Sequence, residues 1–306
     1  MYFFFGDGLL GNQLFQFQFL KKHIKKNRTV FCTNFIELNK LIDFDNKIKF
    51  VIIKNKILVF FIRKILIWFF VFLSKLKIIS SINVERKKIY ETKLEKKKII
   101  IKNGLSDITF IYPRFFQSEF FFKKLKDVKI NIKPKHINSA KKFLFKIPLN
   151  KNLIFVHYRQ GRKNIIDHRF KYNLDDYKKI KFLGLEGIAL PDNYYFDLIN
   201  LLKKRVRNPY FIILSDNSNR AKKTFSYLKN KIISQNNLYV DLTIMSLCNY
   251  GIMSNSSISW WGGYLMKNRK ILFGPKYWLG WKRKIEFQSG GEPSFAKLID
   301  PNKYIY

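Results

Sequence analysis

Short continuous apolar runs and longer segments of helical spacing follow one another along the chain. The first run, Tyr2–Phe5, ends in a glycine-rich stretch, Gly6–Gly11. From Asn12 to Lys26 the spacing predicts a helix: Leu14, Phe15, Phe17, Phe19 and Leu20 precede a basic tail of Lys21, Lys22, Lys25 and Lys26, which suits a helix C-terminus. Val30–Cys32 predicts the next strand, and Ile99–Ile101 a short strand inside the lysine-dense stretch from Lys87 to Lys102. An aromatic-rich stretch, Ile108–Phe122, ends the first half; Lys133-Pro134 and a helix-like Ile137–Phe145 lead into the second. There, Leu153–His157, Tyr210–Leu214, Leu238–Asp241, Gly251–Met253 and Ile271–Phe273 predict strands. Helices are predicted over Asn193–Arg205, with Tyr195, Leu198, Ile199 and Leu202 on one face, over Leu242–Asn249, and from Ser254–Ser257 through Trp260 to Met266. Strand–helix–strand repeats at this spacing imply an α/β protein with a parallel, doubly wound sheet.

Composition changes this picture little. A chain of 306 residues that is 47% hydrophobic is not generally disordered and suits one or two domains. The net charge of +38 points to nucleic acid or an anionic surface. The excess is mostly Lys, however, beside abundant Ile, Phe, Asn and Tyr, so the base composition of the gene is a competing cause, and no nucleic-acid partner is expected. Cys32 and Cys248 stand far apart in apolar runs and read as buried hydrophobes in a reducing compartment. His23, His136, His157 and His168 lack metal-ligand spacing, so no metal site is expected. The run Met1–Phe5 leaves no room for a targeting segment before the glycines, an expectation of a cytoplasmic protein. The apolar stretch 57–76 carries Arg63 and Lys64 near its middle. Each charge would cost a spanning helix about 2.5–3.5 kcal/mol. Packing in a core groove and peripheral contact with an anionic membrane, on the inner face of the plasma membrane, are the two readings left open.

Four constellations carry chemistry. Gly8-Leu9-Leu10-Gly11-Asn12-Gln13, between a strand and a helix, allows close backbone approach to a ligand. On residues alone, a tight turn with Asn12 as N-cap fits equally well. Val156-His157-Tyr158-Arg159-Gln160-Gly161 follows a buried strand, so His157 and Arg159 alternate into one crevice, with Arg159 suited to phosphate oxygens; a solvated basic turn is the alternative. Ser215 and Asp216 follow the strand Tyr210–Leu214, where Asp216 either meets a nucleoside or caps the next helix. Ser254-Asn255-Ser256-Ser257, with Ser259 and then Trp260-Trp261-Gly262-Gly263, puts more hydroxyls at a helix start than capping needs and suits an anion site.

Together these motifs resemble the bacterial and animal α-1,2-fucosyltransferases of glycosyltransferase family 11. The family's opening G-x-L-G-N-Q-[ML]-F-Q-Y is similar to Gly8–Phe17, its Y-F-Q-S-E to Phe115–Glu119, and its H-x-R-x-G-D to His157, Arg159 and Gly161. F-S-D-D is similar to Leu214–Asn217, L-M-S-x-C to Ile244–Cys248, N-S-S-F-S-W-W-G-A-x-L to Asn255–Leu265, and P-x-x-W to Pro275–Trp278. Arg162 and Asn217 stand where the family has Asp, and Leu9 where Gly or Arg is commoner.

The resemblance implies a GT-B protein, two Rossmann-like domains facing across a cleft. We place them at 1–148 on the acceptor side and 149–306 on the nucleotide-sugar side, with the final segment packing back on the first. It implies GDP-fucose as donor substrate, no cofactor, and a galactose-containing glycan as acceptor, lipid-linked in one reading. His157 and Arg159 would face the diphosphate beside Asn255, Ser256, Ser257 and Ser259; Ser215 and Asp216 would lie near the nucleoside; Gly11 and Asn12 would come from the N-terminal loop. Inverting transfer loads charge on the leaving diphosphate, for which Arg159 offers fixed positive charge, with Asn12 and His157 as further catalytic candidates. The only D-x-D, Asp43-Phe44-Asp45, lies elsewhere, so the reaction is expected to need no metal. Asp7, Glu119 and Asp167 are general-base candidates by location alone. The alternatives are a sugar-nucleotide-binding relative without full activity, and a member with a different donor or acceptor.

Overall fold

A computed structural model describes residues 1–25, 28–44, 49–53, 56–84, 99–122, 130–160, 189–284, 286 and 290–304. The chain divides into two compact units, Met1–Lys133 and Pro134–Tyr306. The first contains strands β1 (Tyr2–Phe5), β2 (Thr29–Thr33), β3 (Lys49–Ile53), β4 (Ile79–Val84), β5 (Ile99–Lys102) and β6 (Ser106–Ile111), in the sheet order β3-β2-β1-β6-β4-β5. Among these described strands only β4 and β5 pair antiparallel. Helices α1 (Leu10–His23), α2 (Ile36–Leu41) and α3 (Lys56–Lys75) complete it. Leu10, Leu14, Phe15, Phe19 and Leu20 of α1 are wholly buried, and so are its amides Gln16 and Gln18. Amides that deep need hydrogen-bond partners, and those of Gln16 shape the site described below.

The second unit holds β7 (Asn152–Tyr158), β8 (Pro209–Ser215), β9 (Lys231–Ile233), β10 (Tyr250–Ile252), β11 (Ile271–Pro275) and β12 (Lys297–Ile299). All pair in parallel, in the order β12-β11-β10-β7-β8-β9. Counted within the unit this is 6-5-4-1-2-3, the doubly wound order, and the winding reverses between β7 and β10. Its helices are α4 (Pro134–Leu144), α5 (Asp192–Arg205), α6 (Ser218–Thr224), α7 (Leu238–Leu247) and α8 (Ser257–Tyr264). Ile154, Val156 and Tyr158 of β7 join Phe211 and Ile213 of β8 and Tyr194, Tyr195, Leu198 and Leu202 of α5 in one core cluster. The predicted class, α/β with two Rossmann-like units, is the one observed.

Four local expectations change. The division falls at Lys133/Pro134 instead of 148/149, because α4 packs on α7, with the His136 and Tyr239 rings 5.1 Å apart. The final segment belongs to the second unit, since β12 pairs with β11 and Tyr304 meets Tyr194 at 5.9 Å. Leu238–Asp241, expected as a strand, is the first turn of α7: Asn237 Oδ1 accepts from the N–H groups of Tyr239 and Val240, both at 3.1 Å. So short an apolar run is ambiguous, and the cap decides it. Helix α1 starts at Leu10 with Leu9 as its N-cap, so Asn12 sits inside the first turn and does not cap.

Candidate functional site

In open α/β sheets ligands lie beyond the carboxyl ends of the strands where the winding reverses. In the second unit that point brings the end of β7 beside the turn after β10, since Val156 pairs with Ile252. Alternation along β7 sends Tyr158 into the core, where its hydroxyl donates to Asp192 Oδ1 at 2.6 Å, and leaves His157 on the other face. His157 is buried, and its Nδ1 lies 2.6 Å from Ser254 Oγ. Burial first, then the neighbouring Arg159 charge, pushes the imidazole down to about 3, against a smaller upward pull from Asp216. The ring is therefore neutral near pH 7, a hydrogen-bonding group beside the half-buried Arg159.

The turn after β10 is built from its own hydroxyls. Ser259 Oγ accepts from Ser254 N–H at 3.1 Å and donates to the Ser254 carbonyl at 3.0 Å, while Ser256 N–H donates to the same carbonyl at 2.8 Å. Asn255 Oδ1 accepts from Leu279 N–H at 3.3 Å. Ser256, the N-cap of α8, makes no side-chain capping bond, and Ser257 is half-buried. Ser254 and Ser259 thus hold the loop that leads into the first turn of α8, with Ser256 and Ser257 at its N-terminus. Gly262 lets α8 pack on α7, since a Cβ there would stand 2.7 Å from the Met245 side chain.

Beyond β8, Ser215 Oγ donates to the Tyr158 carbonyl at 2.7 Å, and exposed Asp216 accepts from Gln160 N–H at 3.0 Å. Both residues brace the β7 end that carries Arg159. Capping of α6 falls to Asn217, whose Oδ1 accepts from Arg220 N–H at 3.0 Å, so the amide at this position does what a carboxylate would. Along the same sheet edge, past β9, Asp241 takes a hydrogen bond from the Ser234 hydroxyl, and burial pushes its carboxyl up to about 7 against that bond. Gly161, Arg162 and Asp167 lie outside the described residues.

In the first unit the corresponding point lies between β1 and β6. Gly8 takes a positive φ of 76°, which a side chain would strain. The amides of α1 fasten this loop: Gln13 Nε2 donates to the Gly8 carbonyl at 3.0 Å, Gln16 Oε1 accepts from Asp7 N–H at 3.2 Å, and Gln16 Nε2 donates to the Arg114 carbonyl at 3.1 Å. Asn12 Oδ1 accepts from Gln117 Nε2 at 2.6 Å. Gln117 is delivered by Phe116, which holds a left-handed φ of 53° with its ring stacked 3.8 Å from Phe19. Asp7 accepts from Gly8 N–H at 2.7 Å and from Arg63 Nη2 at 2.6 Å, so both of its oxygens are engaged. A carboxylate so held makes a positioning group better than a general base. Asp43 lies 3.9 Å from Lys133, and Asp45 lies outside the described residues.

The structure brings His157, Arg159, Ser215, Asp216, Asn255, Ser256, Ser257 and Ser259 to one edge of the second unit, while Gly11 and Asn12 stand on the first. Sequence reasoning counted Ser254 among the hydroxyls of an anion site and did not foresee its bond to His157, and it assigned no site role to Asp241, Arg63 or Gln117. Gln117 and Ser254 lay within quoted motifs, whereas nothing linear links Arg63 to Asp7.

A profile of glycosyl transferase family 11 matches residues 6–290. The chain is 30% identical to the alpha-1,2-colitosyltransferase of Escherichia coli over 191 residues, 58% of either protein. It is 27% identical to the O-antigen biosynthesis glycosyltransferase WbnK of Escherichia coli over 140 residues, 44% of this chain and 42% of that one. The matched stretches thus span little more than half of the first relative and less than half of the second. A glycosyl transferase family 9 structure from Veillonella parvula has the same fold, with a TM-score of 0.50 at 10% identity, covering 97% of this chain and 85% of that one. With the match running from the glycine loop after β1 past the tryptophans of α8, the chain belongs to glycosyl transferase family 11.

Proposed function

We propose that this chain is a glycosyltransferase that moves L-fucose from GDP-β-L-fucose to the 2-hydroxyl of a galactose-containing glycan, with inversion and without a metal, in surface-glycan or O-antigen synthesis. The observation that carries the reading is the turn after β10: Ser254 and Ser259 hold it so that the N-terminus of α8, with Ser256 and Ser257, opens beside Arg159 and a neutral His157. Such a turn beside a guanidinium suits a diphosphate. As the acceptor oxygen attacks sugar C1 from the face opposite the nucleotide, the bond from C1 to the diphosphate oxygen breaks. The acceptor hydroxyl gives up its proton to solvent water, and the diphosphate departs with the bonding electron pair as negative charge. Arg159 and the α8 N–H groups stabilise that charge as it grows. Neutral His157 donates or accepts a hydrogen bond without adding charge, and Asn12, steered by Gln117, orients the acceptor or the leaving oxygen.

A second reading, transfer of colitose, is favoured by the 30% identity to a colitosyltransferase. Colitose is fucose without its 3-hydroxyl, so the two donors differ in a single group. Incubating the chain in EDTA with GDP-fucose or GDP-colitose and a β-galactoside, and following GDP release and added acceptor mass, separates the readings. Turnover of GDP-fucose supports the first, and turnover of GDP-colitose alone the second. GDP binding without turnover of either donor means a binding protein, and turnover that requires a divalent cation refutes the metal-free mechanism.

A further inference from the structure

Among its described residues, helix α3 carries apolar side chains on two sides, one packed on the sheet and the other exposed. On the inner side Phe70 is buried among Phe5, Ile79 and Phe110, its ring stacked 5.4 Å from that of Phe110, with Leu66, Ile67 and Leu73 beside it. On the outer side Ile65, Trp68, Phe69, Phe72 and Leu76 are 68%, 73%, 48%, 48% and 53% exposed. Their spacing of three and four residues makes one stripe along the helix, and the Trp68 and Phe72 rings stack at 6.1 Å. The stripe continues past the helix end into Ile78 and Leu105, the latter 93% exposed and tied down where its N–H donates to the Lys77 carbonyl at 3.0 Å. A continuous apolar surface of this kind on a folded protein marks a docking face.

We propose that this face docks on an anionic lipid bilayer, with α3 lying in the interface. Charge complementarity selects the partner. Lys56–Lys75 contains no acidic residue, Lys75 and Lys77 are exposed beside the stripe, and the chain carries a net charge of +38. Tryptophan and phenylalanine on one face with lysines at its rim is the composition of an interfacial helix. The helix lies flat and does not cross, because its other face is packed on the sheet and Arg63 is bonded to Asp7 at 2.6 Å. Among the described residues no helix is long and apolar enough to cross a membrane. The same Arg63–Asp7 pair ties the docked helix to the loop after β1. Resting on the transfer reading above, docking would therefore bring that loop to a glycan acceptor anchored in the same bilayer.

The test is flotation of the purified full chain with vesicles of phosphatidylcholine alone or mixed with phosphatidylglycerol. It compares wild type with the double variant Trp68→Ser/Phe72→Ser, which keeps every charge. The expected result is binding to the anionic vesicles, weaker on neutral ones, and a loss of roughly tenfold or more in the variant. GDP release with a soluble galactoside should be unchanged. If the double variant loses its circular dichroism signal, Ile65→Ser gives the same readout at a side chain 68% exposed. Equal binding by wild type and folded variant overturns the proposal in favour of charge alone, and absence of wild-type binding overturns it outright. A wild-type dimer that the variant converts to monomer, with neither binding vesicles, makes the face a self-interface and also overturns it. Vesicle binding without any transfer would leave the docking standing and sink the transfer reading instead.

Discussion

Replacing Ser259 by alanine tests whether the turn after β10 is held by its own hydroxyls. The side chain is fully buried, and its Oγ accepts from Ser254 N–H at 3.1 Å and donates to the Ser254 carbonyl at 3.0 Å. Alanine leaves that N–H without a partner and out of reach of water, which costs about 1–3 kcal/mol. The carbonyl suffers less, since it also accepts from Ser256 N–H at 2.8 Å. Alanine returns only a few tenths of a kcal/mol through its better helix propensity, so the expected net loss is about 1–3 kcal/mol. Equilibrium unfolding in urea should show a lower midpoint with an unchanged slope. Because the loosened turn must then be ordered when ligand binds, GDP affinity measured by calorimetry should fall as well. The limit is the same free energy, a factor of roughly 5 to 150. A variant within about 0.5 kcal/mol of wild type that binds GDP equally well would refute this account of the loop.

Arg159→Ala should lower transfer by roughly 100- to 1000-fold, the usual loss for one preorganised transition-state donor. Circular dichroism and the unfolding midpoint should stay near wild type, because Arg159 is half-buried and outside the core; an active, folded variant would remove it from the mechanism. Asp241 makes a stability prediction with a definite sign. Its folded carboxyl sits at about 7, above its ordinary value, so between roughly pH 4 and 7 the folded state binds more protons than the unfolded state. Stability from this group therefore falls as pH rises through that window and levels off above it. Asp241→Asn should remove the decline, read as urea midpoints across the same pH range; a slope unchanged by the substitution would refute it. His157 acts in the opposite sense: lowered to about 3, it contributes stability above about pH 6.5 that is lost as pH falls towards 3. The pH profile of transfer should accordingly lack a histidine limb near 6.5, and finding one that His157→Asn abolishes would show that the ring titrates. Gly8→Ala should weaken the first unit's loop, since alanine is strained at a φ of 76° and its Cβ would press on Asn12. We expect a cost of about 1–2 kcal/mol in urea unfolding, and an unchanged midpoint would refute the strain.

Local chemistry is legible where one short segment decides it. The run Tyr2–Phe5 before the glycines, the alternation of His157, Tyr158 and Arg159, and the serines ahead of Trp260 depend on neighbours within a few residues, and each lies where its pattern predicts. Ambiguity enters where two patterns compete within one stretch. Leu238–Asp241 is apolar enough for a strand, and only the Asn237 cap makes it helix.

By itself the sequence determined the class, the strands β1, β2, β7, β8, β10 and β11 with the helix α1 after the glycines, and the family, because periodicity and motif order are properties of the linear chain. The tertiary structure alone decided what the polar side chains do once the sheets are formed. Asp216 and Ser215 brace the end of β7, Ser259 closes a turn, Gln16 pins the loop after β1, and Arg63 reaches Asp7 from a helix that reads as merely apolar. The reason is that a hydroxyl or amide has the same appearance in sequence whether it faces a ligand or a backbone N–H. Only burial makes an unpartnered polar atom costly and so dictates its use. The two faces of α3 show the same division: both are apolar in sequence, and the sheet takes one of them and leaves the other exposed.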